Sequence, residues 1–123
     1  MFVSIGNSRM DKKFNCTDMA YEDFVSRLSK TKYTAETMEQ YRKMPKGQQD
    51  NIKDVGGFVL GKLKGGRRKK DCVISRSAIT LDMDYGTQGI IDELEMFFDM
   101  KMVVYSTHKH TPAVSYTHLR AHE

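Results

Sequence analysis

With 123 residues the chain has room for one small domain, able to bury roughly two-thirds of its unfolded surface. Its two cysteines, Cys16 and Cys72, belong to no Cys-x-x-Cys pair, which excludes a zinc ribbon and a disulfide framework and leaves reduced, buried thiols as the expectation. The net charge of +4 is concentrated in Lys62, Lys64, Arg67, Arg68, Lys69 and Lys70, a pattern that points to a polyanionic partner such as nucleic acid or nucleotide phosphates, with a solvated basic loop as the equal alternative on charge alone.

In chain order, Phe2, Val3 and Ile5 predict a short strand ending at Gly6-Asn7. The apolar run there is too short for a signal peptide, and no stretch reaches the length of a membrane span, so a soluble, intracellular protein is expected. A polar loop follows. Thr17 or Asp18 then caps a helix whose apolar positions Tyr21, Phe24, Val25 and Leu28 recur at helical spacing. A second helix is predicted from Thr34, with capping character in Thr-Ala-Glu-Thr, through Met38 and Tyr41 to Met44. Pro45 ends it and opens a third, short helix through Asn51. Each helix is polar on most sides and is expected to pack one stripe on a sheet.

From Gly56 the texture changes to strand, loop, strand. Phe58, Val59 and Leu60 form one run, Gly65-Gly66 and four basic residues make the turn, and Cys72-Val73-Ile74 restarts extended structure. The stretch from Ala78 to Asp84 alternates, with Thr80, Asp82 and Asp84 on one face and Ile79, Leu81 and Met83 on the other. Gly86 closes that strand. Ile90, Ile91, Leu94, Phe97 and Phe98 give a helix with an apolar stripe, and Met102, Val103, Val104 and Tyr105 a further strand that leads into Ser106-Thr107-His108. Strand, helix, strand with functional candidates at the strand ends is how open sheets present ligand sites.

Residues 114–123, VSYTHLRAHE, back-translate to a sequence resembling the end-plus-adapter of transposase-based sequencing libraries, and are expected to be a read-through tail rather than native protein. Setting them apart matters because His108, His110, His118 and His122 together imitate a zinc-ligand arrangement. Arg120 and Glu123 cancel, so the charge of the remainder is unchanged.

Two carboxylates two residues apart on a strand project from one face within reach of a shared cation. Oxygen ligands of this kind suit Mg2+ or Mn2+, which keep several waters and are completed by substrate phosphates. The chemistry implied is nucleotidyl transfer. Asp-x-Asp alone is a weak pattern, most examples being solvated strand ends or turns. An EF-hand is rejected because Thr87 stands at the sixth loop position, where glycine is needed. Gly56 to Lys62 imitates a P-loop but continues into Leu63 instead of a Ser or Thr hydroxyl, and its interior reads as strand. His108 follows a strand expected to neighbour the Asp82 strand, where an imidazole can bind a triphosphate or position a proton. Arg67, Arg68, Lys69, Lys70 and Arg76 are candidates for phosphate contacts, Arg76 because it lies on the strand leading to the aspartates.

Leu81-Asp82-Met83-Asp84, followed roughly twenty residues later by Tyr105-Ser106-Thr107-His108-Lys109-His110-Thr111-Pro112, resembles the archaeo-eukaryotic primase superfamily, whose first motif is a hydrophobic strand ending in Asp-x-Asp and whose second is Ser-x-His. Lys53 to Val59, Arg67-Arg68 and Ser75-Arg76-Ser77 look like the N-terminal domain of phage and plasmid primase-helicases, including those labelled virulence-associated E. The resemblance implies an α+β, RRM-like primase-polymerase sheet with flanking helices over residues 1–113, incomplete at its C-terminus. It implies template-directed synthesis from nucleoside triphosphates on single-stranded DNA, with a helicase domain in the intact chain. Asp82 and Asp84 would hold metal and His108 would contact the triphosphate, with Ser106 beside it. Such domains continue after His-Thr-Pro into an arginine-bearing strand and supply a third acidic residue. The adapter-like tail stands where both would be, so the fragment is expected to be inactive or nearly so. The competing readings are a non-catalytic nucleic-acid-binding module, for which the basic loop suffices, and a metal-dependent nuclease using the same carboxylates.

Overall fold

The computed structural model describes residues 1–87, 89–97, 99–108 and 115–122, with 85, 86 and 115–122 as backbone only. It is a mixed helix and strand structure with small antiparallel sheets, divided into two compact units, Met1–Arg76 and Ser77–Glu123.

In the first unit, β1 (Phe2–Gly6) is the central strand of a three-stranded antiparallel sheet, flanked by β2 (Asn15–Asp18) and β3 (Gly57–Val59). Val3 and Ser4 are both fully buried, so β1 has its two faces covered rather than one. The Ser4 hydroxyl is accommodated by donating to the Gly61 carbonyl at 2.8 Å. β2 occupies what the sequence predicts as a polar loop. All four of its side chains are exposed, so its pairing rests on backbone hydrogen bonds that leave no hydrophobic signature. Cys16 is therefore exposed and Cys72 half-buried, against the expectation of two buried thiols.

Helix α1 (Tyr21–Ser29) buries Phe24, with Tyr21, Val25 and Leu28 half-buried on the predicted stripe. The Phe24 ring meets Phe58 of β3 edge to face, at 5.1 Å between centroids, which docks the helix on the sheet. The helix starts from Ala20, without a side-chain cap, because Thr17 and Asp18 are engaged in β2. Helix α2 (Met38–Lys43) is capped by Thr37 rather than Thr34: Thr37 and Gln40 form a reciprocal capping box, while Thr34 donates to Glu36 upstream. Pro45 separates α2 from α3 (Lys46–Ile52), as predicted. Gln49 of α3 donates to the Met44 carbonyl and to that of Tyr41, which also accepts the Met44 backbone N–H at the end of α2.

The predicted run Phe58-Val59-Leu60 is broken. Leu60, only 3% exposed, ends β3, and Gly61 begins β4 (Gly61–Leu63), which pairs with β5 (Val73–Arg76) in a separate two-stranded sheet. Gly61 has φ of +149°, and a Cβ there would lie 1.9 Å from the Ser75 carbonyl oxygen. The close approach of β4 and β5 thus requires glycine at this position.

Asp54 fastens the loop after β1. Its carboxylate accepts from the Ser8 hydroxyl at 2.8 Å and from the Arg9 backbone N–H at 2.9 Å, while the Arg9 guanidinium also reaches Asp50 at 3.6 Å. The Arg9 N–H, then the Ser8 hydroxyl, hold the Asp54 carboxyl below the usual carboxylate range, and a hydrogen bond from Lys53 lowers that of Asp50.

In the second unit, β6 (Ile79–Gly86), α4 (Ile90–Phe97), β7 (Lys101–Ser106) and β8 (Ser115–His122) follow in sequence, but the sheet order is β6-β8-β7. Residues set apart in the sequence reading as a tail thus supply the central strand. β8 runs antiparallel to both neighbours, so β6 and β7 are parallel to each other, as a strand-helix-strand crossover requires. The apolar face of β6 is only partly covered, with Ile79 63% exposed, and Ile91, Met96 and Phe97 of α4 are exposed as well. The expected stripe on this helix is therefore not packed away; Phe98 lies outside the described residues. Among the described residues no helix is long and apolar enough to cross a membrane.

Two consequences are testable. Gly61→Ala should disrupt β4–β5 pairing and destabilise the first unit by more than about 1 kcal/mol, since the native φ is one that alanine rarely adopts; urea denaturation followed by circular dichroism measures it. The depressed pKa of Asp54 means that its contribution is present above the unfolded value of 3.8 and is lost as pH falls through the lower folded value. Asp54→Asn should lower the melting temperature at neutral pH, and the difference from wild type should shrink in the acid range below that value.

Candidate functional site

The sequence candidates fall in both units. In the second, the pleat of β6 places Asp82 and Asp84 on one face, both exposed, with Met83 between them on the other. A ladder bulge between Asp84 and Gly86 ends the regular register just beyond the second carboxylate. Because β6 and β7 are parallel, their carboxyl ends lie at the same end of the sheet: Asp84 near the end of β6, Ser106 at the end of β7, and His108 two residues farther on.

The predicted direct pairing of these two strands is not made. β8 stands between them, so they are about 10 Å apart, two interstrand spacings. Register also separates Ser106 from the aspartates. Asp82 and Tyr105 both pair with position 118, whereas Ser106 and Met83 both pair with position 117. Tyr105 therefore shares the aspartate face and Ser106 the opposite one. His108 lies past the end of β7, half-buried, where the chain has left the ladder. His110 lies outside the described residues.

As a cation site, Asp82 and Asp84 supply two hard oxygen donors on one exposed face, the donor chemistry that Mg2+ or Mn2+ takes while retaining waters and substrate oxygens. Among the described residues no group of three or more His, Cys, Asp or Glu gathers as a closed metal cage. Asp92, Glu93 and Glu95 are exposed on α4.

The basic residues belong to the first unit. Gly65 and Gly66, both with positive φ, form a short 3-10 turn after β4, and Arg67, Arg68, Lys69 and Lys70 follow, all exposed. Arg68 has a structural task as well: its guanidinium stacks over the buried Phe14 ring at 5.2 Å and donates to the Arg9 carbonyl. Lys62 sits over the Phe2 ring at 3.9 Å, on β4 rather than in the loop. Arg76 is exposed at the end of β5, where it pairs with Gly61. The imitation P-loop is two short strands meeting at buried Leu60, with no phosphate cradle.

Sequence reasoning missed the neighbours of this loop. The Phe14 N–H donates to the Gly66 carbonyl at 2.8 Å, laying Lys12 and Lys13 beside the basic turn although more than fifty positions separate them. The two lysines are visible in sequence, but their pairing partner is not.

No curated protein and no solved structure matches the chain. The family model described as VapE N-terminal domain matches residues 1–120, and the chain belongs to that family.

Proposed function

We infer that the protein takes part in replication of a phage or plasmid through metal-dependent, template-directed nucleotidyl transfer. The observation that carries this reading is the placement of Asp82 and Asp84 on one face of β6, at the sheet end where β7 delivers His108. Membership of the VapE N-terminal family supports the mobile-element setting. The order β6-β8-β7, with a helix linking the two outer parallel strands, is a split βαβ unit and supports an RRM-like sheet.

A bound Mg2+ or Mn2+ would lower the pKa of the attacking hydroxyl and offset charge on the phosphoryl oxygens. Asp82 and Asp84 would hold the cation on their shared face of β6. His108, beyond β7, is placed to donate to a triphosphate oxygen. Ser106 faces away from the carboxylates and has no part in this arrangement. With Asp82 and Asp84 holding the cation, the chain is expected to bind metal and triphosphate together.

The test is Mn2+-dependent binding of a nucleoside triphosphate, measured by calorimetry on the full chain. Asp82→Ala and Asp84→Ala should each weaken it by tenfold or more, an effect of about 1.4 kcal/mol. His108→Ala should weaken triphosphate binding but leave Mn2+ binding alone unchanged. Equal affinity in the presence and absence of metal would refute the assignment. Metal-dependent cleavage of DNA without triphosphate would favour a nuclease.

A further inference from the structure

The positive charge of the first unit is more concentrated than the sequence shows. The turn after β4 contributes Lys64, Arg67, Lys69 and Lys70, all exposed. The segment before β2 contributes Lys12 and Lys13, also exposed, held against that turn by the hydrogen bond from Phe14 N–H to Gly66 O at 2.8 Å. Contact at Gly66 is close enough that a Cβ there would lie 2.6 Å from both the Lys13 Cγ and the Phe14 carbonyl oxygen. Arg68 pins the same junction from the other side, stacked on Phe14 and bonded to the Arg9 carbonyl.

Nearby acids do little to cancel this charge. Asp11 is committed to the backbone N–H groups of Asn7 and Ser8, and Asp50 and Asp54 are met by Arg9. Asp71 is the one acidic residue within 62–72. Six cations on a backbone fixed by glycine turns, with Arg68 as an anchor, form a preorganised polyanion surface.

We propose that this two-segment surface, Lys12-Lys13 with Lys64 and Arg67–Lys70, is a sequence-independent binding site for the phosphate backbone of nucleic acid, operating without metal. A nucleic-acid backbone fits better than a lipid surface because the basic turn carries no apolar side chain to insert into a bilayer. It fits as backbone binding rather than base reading because the aromatic ring at the site, Phe14, is 1% exposed beneath Arg68 and offers no platform for a base. The surface needs neither Asp82 nor Asp84 and does not depend on the nucleotidyl-transfer reading.

The experiment is fluorescence anisotropy of labelled duplexes of two unrelated sequences, titrated with the full chain in EDTA across a range of NaCl concentrations. Wild type should bind both alike, with a slope of log affinity against log salt on the order of −4, as for four to five neutralised phosphates. Arg67→Ala/Lys69→Ala/Lys70→Ala should flatten the slope by about 2 to 3, and Lys12→Ala/Lys13→Ala by about 2. Lys12→Arg/Lys13→Arg should restore it, which a lost fold would not allow. Because EDTA leaves no metal for the carboxylates of β6, failure here and failure of the metal site are separate results. Full affinity in the Lys12/Lys13 double alanine variant would overturn the two-segment surface. A salt-independent affinity, a preference between the two duplexes, or tighter binding to phosphatidylserine vesicles than to DNA would overturn the site itself.

Discussion

Two carboxylates held on one face of a strand, two residues apart, repel each other, and the pleat of β6 gives Asp82 and Asp84 no freedom to separate along the chain. A divalent cation shared by the pair would relieve that repulsion. The rest of the second unit sets what lies at the same end of the sheet. Parallel β6 and β7 bring His108 to the same sheet end, and antiparallel β8 sets the distance between them. Had β6 and β7 paired directly, the crossover would have placed the imidazole one strand nearer. With β8 interposed, the strand that carries the carboxylates and the strand that leads to the imidazole stand two interstrand spacings apart.

What could be read from the sequence was whatever depends on near-neighbour periodicity. The Tyr21-Phe24-Val25-Leu28 stripe forecast α1 and its inward face, Pro45 forecast the break between α2 and α3, and the alternation through Asp84 forecast β6. These signals are local because a helix or strand face repeats every few residues. What was not legible depends on partners distant in sequence. β2 has four exposed side chains and exists because β1 supplies hydrogen-bond partners. Leu60 looked like a continuation of its strand, and only the approach of Ser75 to Gly61 reveals why the chain breaks there. Thr34 and Thr37 both satisfied the rules for a helix cap, and the reciprocal bond with Gln40 decided between them.

The candidate site divides along the same line. The two aspartates were legible because their relation is local to one strand. The relation of Ser106 to them was not, since it depends on register through an intervening strand that the sequence reading had set apart. A shift of one residue in that ladder would exchange Ser106 and Tyr105 between faces. The basic loop was conspicuous as composition, but Arg68 proved to be partly an internal brace, and Lys12 and Lys13 joined the loop through one backbone hydrogen bond.

The two proposals assign phosphate to the two units by different physics. In the first, lysine and arginine heads would act at range through the potential of the patch, a mode that tolerates any sequence and weakens steeply with salt. In the second, a carboxylate pair would repel phosphate unless a cation intervened, so occupancy would be conditional on metal and on a ligand able to complete its coordination. A chain with only the patch would hold nucleic acid without acting on it, and one with only the carboxylates would recruit an anionic substrate poorly.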